Sequence, residues 1–286
     1  ASGSAGPSAP AALLLAGALV TVNGLGYAEL SLRATRPGGA YSLVRSARGA
    51  GWLAFLTGWA LALAGAAFCA LLAQATAAHA ALLLEALLPD RPAAALLAMG
   101  FASLAVLSSG LLAFSRRRVS FFIPLSFLLV VLLALVGGPR LAPARQFAAR
   151  PDYGPIVALL LASFVGMEEI GGHQSEIHHR PANLPRLLLT VPLAGAGLAA
   201  LLAVVLGPHG ASATPLVPLG QAAAGAAGRT AVLALSFAAL FLALQRAAAM
   251  VVRHILVMGR DGLWPDWMQH VHPRRQLPLR PALILG

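Results

Sequence analysis

Lysine is absent from this chain of 286 residues, and charge of either sign is scarce: all 20 basic residues are arginine, 9 are acidic, and charged positions make up 10%. Soluble domains carry about a quarter charged residues, so the shortage excludes an ordinary water-soluble fold. Cysteine is nearly absent too; with Cys69 alone, no intramolecular disulfide framework can exist. Aromatic residues reach only 6% and do not interleave with the arginines, so the net charge of +11 does not point to a nucleic-acid partner. Residues 1–10 have no basic stretch ahead of an apolar run. They therefore do not read as a signal peptide, but as a start partway through a longer protein. Serine-elbow, phosphate-loop and H-E-x-x-H zinc patterns are missing as well, so neither an enzyme nor a cofactor is expected.

What is present is apolar sequence in long runs. Hydrophobic residues fill 59% of positions and mean hydropathy is +0.81. A membrane-crossing helix needs ~20 mostly apolar residues. Spans are expected at about residues 11–32, 52–76, 92–114, 119–136, 155–170, 187–206 and 230–252, with the start of another at 281–286. Arginine orients them. Arg33, Arg36, Arg45 and Arg48 follow the first span, Arg116, Arg117 and Arg118 the third, Arg180 and Arg186 the fifth, and Arg253, Arg260, Arg274, Arg275 and Arg280 the seventh. The alternate loops hold only Arg91, Arg140, Arg145, Arg150 and Arg229, so the arginine-rich side is expected to be cytoplasmic. The fold class is an all-α integral membrane protein, in the plasma membrane or, as the alternative, an organelle membrane.

The most informative stretch is Ser163-Phe164-Val165-Gly166-Met167-Glu168-Glu169-Ile170-Gly171-Gly172. Glycine weakens a helix by ~1 kcal/mol relative to alanine, and a carboxylate at membrane depth is costly unless paired or hydrated. Non-helical backbone at that depth is tolerated only against protein or water, and broken helices near the midplane form solute sites in transporters. A second reading stays open at this point: Glu168 and Glu169 mark the cytoplasmic end of an ordinary helix. Residues 173–179 bring His173, Glu176, His178 and His179 close in sequence. Their spacing does not place two ligands on one helical face, so no metal site is expected. Arg246 lies within the seventh span. Either it snorkels to the cytoplasmic interface beside Arg253, or it faces a solute pathway, paired with Glu168.

Three segments together resemble the amino acid–polyamine–organocation (APC) superfamily of transporters, most closely its cationic amino acid transporter and bacterial amino acid permease branches. The first is Tyr27-Ala28-Glu29-Leu30, then Pro37-Gly38-Gly39-Ala40-Tyr41, then Phe55 with Gly58-Trp59. It is similar to the family's Y-A-E-L, P-x-x-G-G-A-Y and a-f-x-x-G-W, with one residue fewer after the proline. The second is Phe164-Val165-Gly166-Met167-Glu168, then Glu176 and Pro181 through Leu184-Pro185-Arg186. The third is Arg253 with Arg260-Asp261-Gly262 and Pro265.

The resemblance implies a partial five-plus-five inverted-repeat helix bundle, covering family helices two to eight and the start of nine, with helix one ahead of Ala1. It implies secondary transport of an amino acid or related amine by alternating access, with a proton or sodium ion as possible coupling partner and the lipid bilayer as solvent. Ser163, Phe164, Val165, Gly166, Met167 and Glu168 would line the solute site. Gly38, Gly39, Tyr41, Arg253, Arg260 and Asp261 would organise the cytoplasmic gate. Departures bear on specificity: Ala64 stands about where cationic-substrate relatives carry an acid, and Phe127 about where proton-coupled relatives carry a lysine. Met167 replaces the usual aromatic. A transport-incompetent fragment acting in assembly, or a polytopic receptor, would be the rival readings.

Overall fold

The computed structural model describes residues 9–33, 39–48, 51–87, 161, 164, 180–206, 214 and 216–269. Among the described residues the regular structure is helical: α1 (Ala9–Arg33), α2 (Gly39–Arg48), α3 (Trp52–Leu87), α4 (Arg180–Leu206) and α5 (Val217–Arg260), followed by a short 3-10 turn, Asp266–Met268. The expected spans at 92–114, 119–136 and 281–286 lie outside the described residues, as does 155–170 apart from Leu161 and Phe164.

Four of these helices are long and apolar enough to cross a membrane, over Pro10–Leu32, Trp52–Leu87, Ala182–Leu206 and Val217–Arg260. Several bounds differ from the sequence expectation. Helix α3 continues beyond Thr76 to Leu87 because an uninterrupted Ala- and Leu-rich stretch follows and the first proline is Pro89. Its 36 residues would extend ~54 Å at ~1.5 Å per residue, against a hydrocarbon core of ~30 Å. The Gly39-Ala40-Tyr41 segment is the first turn of α2, entered through Gly39 at φ 61°. Helix α5 begins at Val217, ahead of the span expected from about residue 230, and breaks at Ala224 (φ −145°, ψ 25°) and Gly225 (φ 60°, ψ −139°). Glycine alone adopts the second conformation without strain.

The chain forms two compact units. One comprises Ala1–Ala54 with Leu133–Ala223, the other Phe55–Leu132 with Ala224–Gly286, so the α5 break falls on their boundary.

In the first unit α1 packs on α4. The buried face of α1 is built of small residues, Ala12, Ala16, Gly17, Thr21, Gly24 and Ala28, while Leu14, Leu15, Leu19, Val22 and Leu25 are exposed. On α4, Leu184, Leu188, Pro192, Ala196 and Ala200 make a buried stripe at four-residue spacing, with Leu187, Val191, Leu193, Leu201 and Val204 outside. The small buried face and large exposed face of α1 suit a helix whose solvent is lipid and whose contacts depend on close backbone approach. Gly17 shows why: a Cβ there would collide with the Cβ of Ala196. Thr21 satisfies its hydroxyl on its own helix, donating to the Gly17 carbonyl at 2.7 Å.

In the second unit α3 packs on α5 after the break. Cys69, Leu244, Ala247, Ala248, Val251, Ile255 and Met268 form its core, with Phe68, Leu72, Phe241 and Trp264 against it. Gly65 allows the approach, since a Cβ there would lie 2.5 Å from Val251 Cγ2. Thr76, fully buried, donates to the Leu72 carbonyl at 2.6 Å.

Each unit thus joins an early helix to a late one. Helix α4 starts at Arg180 against Ala9 for α1, and α5 resumes after Gly225 against Trp52 for α3, an offset of roughly 170 residues in both pairs, as a repeated helix order requires.

Candidate functional site

The described residues of the expected site and gate gather in three places. In the first unit, Phe164 is half-buried against the cluster of Ala12 and Ala16 on α1, beside Leu13 and Ala203. Leu161 is α-helical whereas Phe164 has 3-10 geometry, a tightening that marks hinges and strained sequence within helices. Ser163, Val165, Gly166, Met167, Glu168 and the histidine segment 173–179 lie outside the described residues.

The second place is the junction of α1 and α4. Ala28, from Tyr27-Ala28-Glu29-Leu30, packs with Leu184 and Leu188, and Tyr27 lies against them. Two of the motif segments noted in the sequence therefore touch. Close by in sequence, Tyr41 on α2 is fully buried; its Oη accepts a hydrogen bond from Arg45 Nη1 at 2.9 Å, one turn further along the helix. Gly38 is outside the described residues.

The third place is the α3–α5 junction of the second unit. Arg260-Asp261-Gly262 ends α5 as a glycine-terminated cap: Leu263 N–H donates to the Met258 carbonyl at 3.0 Å and Gly262 N–H to that of Gly259 at 2.9 Å. Gly262 sits at φ 77°. This is the paired pattern of a Schellman turn. The turn returns Trp264 onto α3, where it stacks on Trp59 at 4.7 Å and 24°, and Trp59 meets Phe55 edge-on at 6.2 Å. His254 Nε2 lies 3.0 Å from the Gly58 carbonyl. Both indole Nε1–H groups are enclosed without an acceptor among the described residues, and the stack there is a ring contact.

Arginine 246, singled out by its depth in the sequence, is exposed on α5, while neighbouring Gln245 is 7% exposed. Gln245 had no sequence signal beyond being a polar residue in an apolar run; its burial comes from packing. The His254–Gly58 bond and the Trp59–Trp264 stack were likewise not anticipated, although Gly58, Trp59 and Trp264 stand in the motif segments. No group of histidine, cysteine and acidic side chains suited to a metal ion occurs among the described residues.

Comparison with known proteins agrees with the architecture. Three proteins named as uncharacterized transporters, one from Mycobacterium bovis and two from strains of Mycobacterium tuberculosis, are each 28% identical to this chain over an alignment of 287 positions that covers 96% of the chain. The chain spans 63% of the length of each. The family model described as amino acid permease matches residues 1–285. With nearly its whole length matched and its apolar helices built for lipid, this chain belongs to the amino acid permease family of the APC superfamily, a family of integral membrane transporters and not of enzymes.

Proposed function

We propose that the protein carries an amino acid or a related amine across its membrane by secondary transport with alternating access. The observation that carries this reading is the amino acid permease match over residues 1–285. The division of the helices into two compact units, each pairing an early helix with a late one, supports alternating access, because rocking between helix groups needs groups that hold together internally. The solute site in this proposal is the segment Ser163, Phe164, Val165, Gly166, Met167 and Glu168. Its main-chain carbonyls would accept from the solute ammonium, and Phe164 or Met167 would meet the solute side chain. The 3-10 geometry at Phe164 and its seat against α1 support a departure from regular helix there.

Two motif segments fit the gate in different ways. Tyr41 and Arg45 are bonded within α2. The Arg260–Gly262 cap fixes Trp264 against α3. Gly39 starts α2. These contacts stiffen the ends of their own units, which a gate requires, and none of them offers a solute-sized set of free donors.

The test is uptake of labelled amino acids by the full-length protein in proteoliposomes, with unlabelled amino acids and amines as competitors. Saturable, competable uptake is expected, and Gly166→Leu should abolish it by filling the break while the purified variant keeps its elution profile. Absence of uptake for every member of the panel, with or without an imposed proton or sodium gradient, would sink the reading.

A further inference from the structure

We infer that Phe164 is a positioning residue of the solute site and not part of its wall: its ring is seated where α1 begins and α4 ends, and that seat fixes the backbone ahead of Gly166. The inference rests on the transport reading. Of the two side chains offered there as contacts for the solute, it withdraws Phe164.

Volume is the first observation. The face of α1 turned to α4 is small from end to end, with Ala12, Ala16, Gly17, Gly24 and Ala28 all buried. The buried stripe of α4 is not uniform. It is large where the helix starts, at Leu184 and Leu188, and small where it ends, at Ala196 and Ala200. The two helices run antiparallel, since Ala28 packs with Leu184 and Leu188 while Gly17 meets Ala196. At Ala28, leucines of α4 fill what the small face of α1 leaves open. At Gly17 the backbones themselves close the gap. Beyond Gly17 the small face of α1 meets the small end of α4, and neither helix offers its partner a large side chain.

Phe164 supplies one from outside both helices. Ala12 and Ala16, in the first two turns of α1, are fully buried, and the side chains packed on them are Leu13, Phe164 and Ala203 of the last turn of α4. Residues four apart lie on one face of a helix, so the two alanine methyl groups form the floor of a single recess. Helix interfaces are packed without voids larger than a water molecule, and the ring is the large group that fills this one. All of these contacts lie within the first compact unit.

The backbone gives the seat its consequence. Leu161 is α-helical and Phe164 has 3-10 geometry. A change of helix type is held by what surrounds it, and here the surroundings are two helices already locked together at Gly17 and Ala196. Main-chain groups that grip a solute must be held to ~0.5 Å. A ring anchored two residues ahead of Gly166 provides that hold. Its loss should let the site wander, which slows transport. Its loss should not enlarge the solute cavity, which would change the preferred solute.

The test separates rate from selectivity. Full-length protein in proteoliposomes takes up a labelled amino acid, with glycine, alanine, leucine and phenylalanine as competitors that differ only in side-chain size. Rates refer to protein that elutes as a single peak. Phe164→Ala should lower the maximal rate roughly 10-fold or more, because small displacements of positioned groups suffice. The relative potency of the four competitors should stay within about two-fold, whereas removing a wall residue changes discrimination by roughly 10-fold for each methylene-sized group. Phe164→Leu, which still fills the recess, should keep most of the rate. Ala12→Leu fills the recess from α1 and displaces the ring, so alone it should slow uptake as Phe164→Ala does. Combined with Phe164→Ala it should recover the rate several-fold, the coupling expected of residues in contact. If Phe164→Ala elutes as aggregate, Phe164→Leu and Ala12→Leu carry the same comparison. A shift of preference toward leucine and phenylalanine in any Phe164 variant overturns the inference and makes the ring part of the solute wall. An unaltered rate in Ala12→Leu overturns it as well. In both of those outcomes transport itself survives. No uptake of any labelled amino acid by the unaltered protein overturns the transport reading and this one with it.

Discussion

At the scale of single residues the protein depends on glycines that are small where two helices meet, and it carries others that touch nothing. Gly17 and Gly65 belong to the first kind. At Gly17 the obstructing atom is the Ala196 Cβ, and at Gly65 it is the Val251 Cγ2. Neither can rotate away, because alanine has no rotamer and a β-branched side chain in a helix has essentially one. Alanine at either position should therefore force the backbones apart, at about 1–3 kcal/mol for overpacking, outweighing its gain of ~1 kcal/mol in helix propensity. Gly195 on α4 has nothing within 4 Å of an added Cβ, so Gly195→Ala should keep the propensity gain. Thermal unfolding in detergent, followed by size-exclusion elution, should show Gly17→Ala and Gly65→Ala melting below the unaltered protein and Gly195→Ala at or above it. The reverse order would mean that these helices do not pack as described.

At the scale of elements, the end of α5 is where a sequence motif acquires a physical task. Arg260-Asp261-Gly262 reads in the sequence as a gate segment. In three dimensions it is first a helix cap, with Gly262 at φ 77° turning the chain so that Trp264 reaches Trp59. A non-glycine residue in the left-handed region costs roughly 1–2 kcal/mol, so Gly262→Ala should lower stability by about that amount. The indole N–H of Trp264 has no acceptor among the described residues, so Trp264→Phe should melt within about 1 kcal/mol of the unaltered protein. Trp264→Ala removes the stack and should cost about 2–3 kcal/mol, below the full-core value because the ring is half-buried. Equal losses from the phenylalanine and alanine variants, in the same melting assay, would show that the nitrogen is bonded after all.

The same elements show what sequence makes legible. Residues 11–32, 52–76, 187–206 and 230–252 were readable as helix because an apolar run of that length has no other stable form in lipid. Their ends were not, because alanine, leucine and arginine continue a helix as readily in water as in the bilayer. Hence α3 outran Thr76 and α5 began at Val217. The Pro37-Gly38-Gly39 run consists of turn residues, yet Gly39 with its positive φ opens α2. The break at Ala224–Gly225 was hidden in a stretch of small residues that is equally compatible with helix and turn. Of the candidate site, the anomaly of Arg246 was visible in one dimension, but the burial of Gln245 beside it was not, since adjacent residues on a helix take different faces and only packing decides which is covered.

At the scale of the molecule, what remains to be joined is the direction of each helix and the side of the membrane it faces. Helices α3 and α5 run antiparallel: Gly58 near the start of α3 meets His254 near the end of α5, and Gly65 meets Val251. The start of α3 and the 3-10 turn after α5 are therefore on one side, and Leu87 at the far end of a 36-residue helix is on the other. Exposed Ser46 on α2 precedes α3 by a few residues and shares its starting side, as does exposed Asp266, whereas exposed Glu85 is opposite. The arginine excess predicts that the Ser46 side faces the cytoplasm. The chain's lone cysteine makes this simple to check, because Cys69 is buried against α5 and Cys69→Ala supplies a cysteine-free background. In intact cells a membrane-impermeant maleimide should label Glu85→Cys and spare Ser46→Cys and Asp266→Cys, which should react only after permeabilisation. Labelling of Ser46→Cys and Asp266→Cys from outside would invert the orientation and leave the helix pairing standing. Labelling of one but not the other in intact cells would break the antiparallel pairing of α3 and α5.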